Sequence, residues 1–290
     1  MRLAELYSKI IAFGIDKDPR RDKATIRGYA DSALLYGDPA KEIRKVFVGI
    51  DIDAPELLLA DRVRASKGLD LVISHHPQGK AYAGLHAVMD VQVEVLQRAG
   101  IPQSVARGLV EERQQEVQRK TSSANHMRAV DAARMLDLAF MCVHTPADNH
   151  VAFFLEELLK KRAPETAAEI VSILSQVPEY QEAVQLGAGP RLVLGNSRRP
   201  VGRLLVEMTG GTEGPKEAYD KLRNAGIRTI VAMHLSEEHF KKVQDAQLNV
   251  IIAGHVSSDT LGLNLLLDRI EKEQKLSVTA ASGFRRYRRI

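Results

Sequence analysis

The chain has 290 residues, 44% hydrophobic and 27% charged, the composition of a soluble globular protein long enough for one large domain or two lobes. A single cysteine, Cys142, excludes an internal disulfide, no run approaches the roughly 18–20 apolar residues of a membrane span, and the start lacks a secretory pattern; the expectation is a reducing, cytoplasmic setting with no membrane partner. The formal net charge of +4 is matched by Arg285, Arg286, Arg288 and Arg289 of FRRYRRI, so the basic excess belongs to a tail expected to be a solvated end, and nucleic acid is not an expected partner.

In chain order, MRLAELYSKIIAF has helical apolar spacing at Leu3, Leu6, Ile10, Ile11 and Phe13. After a turn-rich segment, KVFVGIDI reads as a strand, the stretch from Pro55 to Gly68 as a helix opened by proline and closed by glycine, and LDLVIS as a second strand, which makes a β-α-β unit. Helices are expected at 87–98, 105–120 and 125–136, then the strand LAFMCVHT and a helix over 146–161. The segment 163–201, with four prolines and LGAGPRLVLGNSRRP, reads as an irregular connector with short strands. VGRLLVEM, IRTIVAMH and LNVIIAGH follow as strands, with helices at 216–225 and in SEEHFKKVQDA, and LGLNLLLDRIEKE is the closing helix. Residues 69–76 align without gaps on 248–255, which suggests a duplicated unit.

Four of these strands end in histidine: His75 and His76, His144, His234, and His255. Ligands of open α/β sheets gather outside the carboxyl ends of the strands, so these side chains are expected to converge. His144 and His255 each have an aspartate four residues on, Asp148 and Asp259. Imidazole and carboxylate from several segments are a ligand set for Zn²⁺, Mn²⁺, Fe²⁺, Co²⁺ or Ni²⁺, in numbers that exceed one tetrahedral ion and point to two. Each motif also has a plainer reading. His75 and His76 can open a loop, Thr145 and Asp148 fit a capping box, and Asp259 fits a first-turn acid capped by Ser257 or Ser258. Cys142 reads as core filling, and His86, His126, His150 and His239 as surface or core residues.

LDLVISHHP, VHTPAD and AGHVSSD, in that order, together with SALLYGDPAKEIRKVFVGIDID upstream, resemble the NIF-three-like proteins, also labelled GTP cyclohydrolase type 2 homologues. The resemblance covers most of the chain and is weakest over 163–201. It implies two similar, intertwined α/β lobes with mixed sheets, a pair of divalent ions held by His75, His76, Asp148, His255 and Asp259, and a ring-shaped homo-oligomer, a hexamer, with its metal sites facing an inner cavity. Asp259 stands where the family usually has glutamate, and Ala-Met-His at 232–234 where it commonly has Thr-Gly followed by an acid. The segments then group as 1–125, a first lobe with HHP; 126–225, a second lobe including the connector; and 226–290, completing both lobes and carrying GHVSSD.

Two classes of function fit. One is a metal-dependent hydrolase of a small molecule, a nucleotide, phosphoester or purine-type ring, in which His144 or His234, outside the ligand set and titrating near neutral pH, carries protons. The other is a non-catalytic metal-responsive or metal-handling protein. The sequence has neither a Walker loop nor a dinucleotide fingerprint, since GGTEGP lacks the spacing of either.

Overall fold

The computed structural model describes residues 1–289. After α1 (Leu3–Lys17) the chain forms β1 (Ala33–Tyr36) and β2 (Lys45–Gly49), crosses through α2 (Ala54–Lys67) to β3 (Leu71–Ser74), and runs through α3 (Gly79–Ala83), α4 (Asp90–Arg98), α5 (Gln103–Thr121) and α6 (Arg128–Met135). It continues through β4 (Phe140–Cys142), α7 (Thr145–Arg162), α8 (Ala167–Leu174), α9 (Pro178–Gln185), β5 (Arg191–Leu194) and β6 (Arg203–Glu207). The remaining elements are α10 (Tyr219–Asn224), β7 (Ile227–Ala232), α11 (Glu237–Asp245), β8 (Asn249–Ile252), α12 (His255–Glu271) and β9 (Ser277–Ala280). The boundaries have local causes: α2 starts at a capping box between Asp53 and Glu56 and stops at Gly68, whose φ of 73° favours glycine. No described helix is long and apolar enough to cross a membrane.

The strands form two mixed sheets, ordered β1-β4-β3-β2-β9 and β5-β8-β7-β6. In the first, β2, β3 and β4 are parallel and β1 runs antiparallel to β4; in the second, β6, β7 and β8 are parallel and β5 runs antiparallel to β8. Both antiparallel edges slip register at the same step, between Leu34 and Tyr36 and between Leu192 and Leu194. The lobes thus repeat one topology, in which β8 corresponds to β4 and β7 to β3. The gap-free match of 69–76 to 248–255 pairs β3 with β8 instead. Both are buried apolar central strands, so their composition does not distinguish the neighbours.

Helices α7 and α12 pack together between the sheets. Ala147 of α7 and Leu263, Leu266 and Leu267 of α12 join the core under the first sheet, while Val151, Leu155 and Leu159 of α7 and Leu261 of α12 join the core under the second. Both helices begin at the carboxyl ends of strands, β4 and β8, and so deliver their first turns to one place between the lobes.

Three expectations are corrected. The segment 163–201 contains the expected short strand, β5, but also two helices: Thr166 accepts the Glu169 N–H to start α8, and Pro178 occupies the first turn of α9, so a proline that read as part of an irregular connector opens a helix. Strands β1 and β9 went unforeseen, because both are partly exposed edges of the first sheet and lack the continuous buried apolar run of its central strands. The arginine tail is not a solvated end. Arg286 pairs with Asp268 and Glu271, Arg289 with Glu179, Arg288 with Glu271 and Arg285 with Glu182.

Candidate metal centre

His75 and His76 directly follow β3 and meet the first turns of α7 and α12. His75 Nε2 lies 3.4 Å from both Asp148 Oδ1 and Asp259 Oδ1. Asp259 Oδ2 faces the other way, 3.4 Å from His76 Nε2 and 3.6 Å from His255 Nε2. The five sequence-predicted residues therefore converge, in two groups that share Asp259: His75, Asp148 and Asp259, and His76, His255 and Asp259, each with donor atoms within 4.8 Å of one another.

The capping readings of the two aspartates fail. His144 is the N-cap of α7 without a side-chain cap, Thr145 is already helical, and its hydroxyl donates to Asp31 Oδ2 at 2.6 Å. Helix α12 begins at His255, which puts Asp259 beyond a capping position. Asp148 and Asp259 are 4% and 1% exposed, so neither is a solvated first-turn acid. Cys142 is core filling, packed with Ala33 and Ala81.

The donor set carries an unmet demand. His75 Nε2, Asp148 Oδ1 and both carboxylate oxygens of Asp259 are buried and have no hydrogen-bond partner. Buried polar atoms are almost always satisfied, and an unpaired buried carboxylate costs several kcal/mol, so these atoms call for a cation among them. Imidazole nitrogens and carboxylate oxygens suit a divalent transition ion. The residues present fit such a group and could hold a metal ion.

Burial pushes His75 down to about 4 and Asp148 up to about 7. Burial opposes charge on His76, but the nearby carboxylates of Asp259 and Asp51 outweigh it and push the imidazole up to about 10. Burial also works to raise Asp259, yet His75, His76 and His255 hold it below the usual carboxylate range.

A cleft of about 60 Å³ adjoins these groups, lined by His144, Asp148 and His255 together with Glu207, Glu213 and His234. His144 stands inside the site: its ring centroid is 4.9 Å from that of His75, and its Nε2 is 3.8 Å from Asp148 Oδ2. His234 lines the cleft and is more exposed, its ring 4.7 Å from His255 and its Nδ1 3.5 Å from Glu213 Oε1. His239, expected to be a bystander, bonds the Tyr219 hydroxyl at 2.8 Å and lies 3.8 Å from Glu213.

Sequence reasoning missed the carboxylates behind the histidines: Asp31, Asp51 and Glu213. Asp51 lies in GIDID and Glu213 in GGTEGP, both noticed only as family pattern or turn. The usable signal was an acid next to the carboxyl end of a strand, as Asp51 is to β2.

Two lobes of one topology enclosing a buried histidine–aspartate centre define a two-lobed α/β protein with a candidate metal site. The chain superposes on a NIF3 superfamily protein from Sphaerobacter thermophilus with a TM-score of 0.76 and 26% identity, over 95% of this chain and 98% of that one. Reduced HcgD from Methanocaldococcus jannaschii gives 0.61 and 16% identity, covering 97% of each chain. A protein from Thermus thermophilus gives 0.53 and 16%, again covering 97% of each. The fold is that of NIF3-like proteins, as the sequence motifs implied. No family model and no curated protein matches the chain.

Proposed function

We propose that this chain holds two divalent metal ions and hydrolyses a small molecule in the cleft beside them. The observation that carries the reading is the set of orphaned buried donor atoms on His75, Asp148 and Asp259. His75, Asp148 and Asp259 would hold one ion and His76, His255 and Asp259 the other, with the two oxygens of Asp259 facing opposite sides. Such ions supply a water acidified toward neutral pH and positive charge for substrate oxygens.

The chain's own groups do the rest. Asp51 fixes His76 through a 2.6 Å contact to Nδ1, and the Val143 carbonyl accepts from His75 Nδ1 at 3.1 Å, so neither ring can turn away. His234 faces the cleft with its Nδ1 toward Glu213, which leaves Nε2 to exchange a proton with substrate or solvent. The cleft suits a nucleotide, phosphoester or purine-type ring presenting one reactive portion rather than being engulfed. As in the family, the working form is a homo-oligomer, a ring of six chains.

The test is hydrolysis of nucleotides and phosphoesters by protein loaded with Mn²⁺ or Zn²⁺, against protein stripped by chelator and against Asp259→Asn. Turnover confined to the loaded wild type supports the reading. A loaded protein that binds metal and turns over none of these substrates favours the metal-handling alternative.

A further inference from the structure

We infer that His144 is an additional electron-pair donor to the proposed metal centre and that Asp31 is the residue that positions it. The inference rests on the reading of the site as a metal centre.

Three imidazoles around the site share one arrangement. His75 Nδ1 bonds the Val143 carbonyl at 3.1 Å, His76 Nδ1 bonds Asp51 Oδ1 at 2.6 Å, and His144 Nδ1 bonds Asp31 Oδ2 at 2.8 Å. A carbonyl or carboxylate oxygen accepts, so in each ring Nδ1 is the donor and Nε2 is the nitrogen left for the centre. Ring nitrogens of all three residues lie within 4.8 Å of one another. A carboxylate behind an imidazole is the arrangement that fixes tautomer and direction in metal-ligating histidines.

Asp31 is itself fully buried, and the same Oδ2 accepts the Thr145 hydroxyl at 2.6 Å. Ser32, its neighbour, accepts the backbone N–H of His144 at 3.0 Å. Ring and backbone of His144 are thus both pinned. The repeat of the lobes points the same way. His144 is the residue that precedes α7, and His255 is the first residue of α12 after the corresponding β8, each four residues before a buried aspartate. The two are offset by one residue, since Cys142 pairs with Ser74 and Ile252 with Ala232. His234, with 43% of its side chain exposed against 9% for His144, is the better placed of the two to exchange protons with solvent.

The full chain, stripped and then titrated with Co²⁺ in competition with a chromophoric chelator, reads ion number, affinity and visible absorption together. His144→Ala is expected to weaken one ion by at least about tenfold and to shift the absorption, and added imidazole to restore it. Asp31→Asn keeps an oxygen acceptor for Nδ1–H without the charge, so it is expected to lower affinity less than His144→Ala while retaining a near-native absorption. Circular-dichroism melting of stripped protein confirms that each variant is folded. Wild-type affinities and absorption in folded His144→Ala overturn the inference. If that variant does not fold, Asp31→Asn decides, and an unchanged affinity there overturns it. Wild-type protein that binds no Co²⁺ rejects the metal-centre reading itself, an outcome distinct from failure of His144 alone.

Discussion

Gly262 and Ala147 set how closely the two site-bearing helices approach. A Cβ on Gly262 would stand 2.5 Å from the Ala147 carbonyl oxygen, inside van der Waals contact with α7 backbone. Ala147 precedes Asp148, and Gly262 lies three residues after Asp259, so helix spacing and carboxylate spacing are one quantity. Gly262→Ala is expected to lower stability by about 1–3 kcal/mol through overpacking, despite alanine's better helix propensity, and to weaken metal binding as the aspartates separate. Thermal unfolding and a Co²⁺ titration check both effects; an unchanged or raised Tm would contradict the packing argument.

Asp18 ties the first lobe to the site's surroundings. Arg20 donates to both of its oxygens at 2.9 and 2.8 Å, the Tyr29 hydroxyl donates at 2.8 Å, and Asn149, next to Asp148, donates at 3.3 Å. Burial works to raise the carboxyl, but Arg20 and Tyr29 hold it below the usual range. A folded-state pKa below the unfolded value of about 4 stabilises above that pH, and the contribution fades as pH falls through the folded value. Asp18→Asn is expected to cost about 1–3 kcal/mol at pH 7, with the gap to wild type narrowing below about pH 4. Urea unfolding at both pH values measures it, and an equal gap at the two would remove the carboxylate's charge from the account.

The C-terminal arginines clamp rather than recruit. Arg286 lies 2.5 Å from Asp268 and 3.2 Å from Glu271, with all three side chains nearly buried. Arg286→Ala leaves two buried carboxylates short of a partner and is expected to cost about 3–5 kcal/mol. Denaturant unfolding tests this; a loss under about 1 kcal/mol, as for a surface pair, would return the tail to the solvated state.

The strongly periodic or buried runs were legible in the sequence: α1, α2, β3, β4, β7 and β8 follow from apolar spacing, caps and glycine stops. So were the five converging donors, because histidines at strand ends share one edge of a sheet whatever the loops do. The four-residue strands β1 and β9 were not, since their identity comes from the neighbours they pair with. Asp31 was invisible for the same reason: only pairing of β1 with β4 brings it beside His144, 113 positions away. The helices of 163–201 were misread by counting prolines without asking which stood in a first helical turn.

The proposed homo-oligomer rests on the family resemblance and is tested by mass. Sedimentation is expected to give a multiple of the 32.1 kDa chain, about six, and a monomer at working concentration would contradict the ring.

The central claim is that the orphaned donors of His75, Asp148 and Asp259 exist to hold metal on a scaffold that folds without it. Metal content by mass spectrometry of protein purified without chelator, set beside His75→Ala/His76→Ala in the same preparation, tests this most directly. Apolar strands buried between helices supply their own folding energy, so the double variant is expected to melt cooperatively while its metal falls well below the two divalent ions per chain expected of wild type. Wild-type protein that retains no divalent metal, or a double variant that retains all of it, would contradict the account.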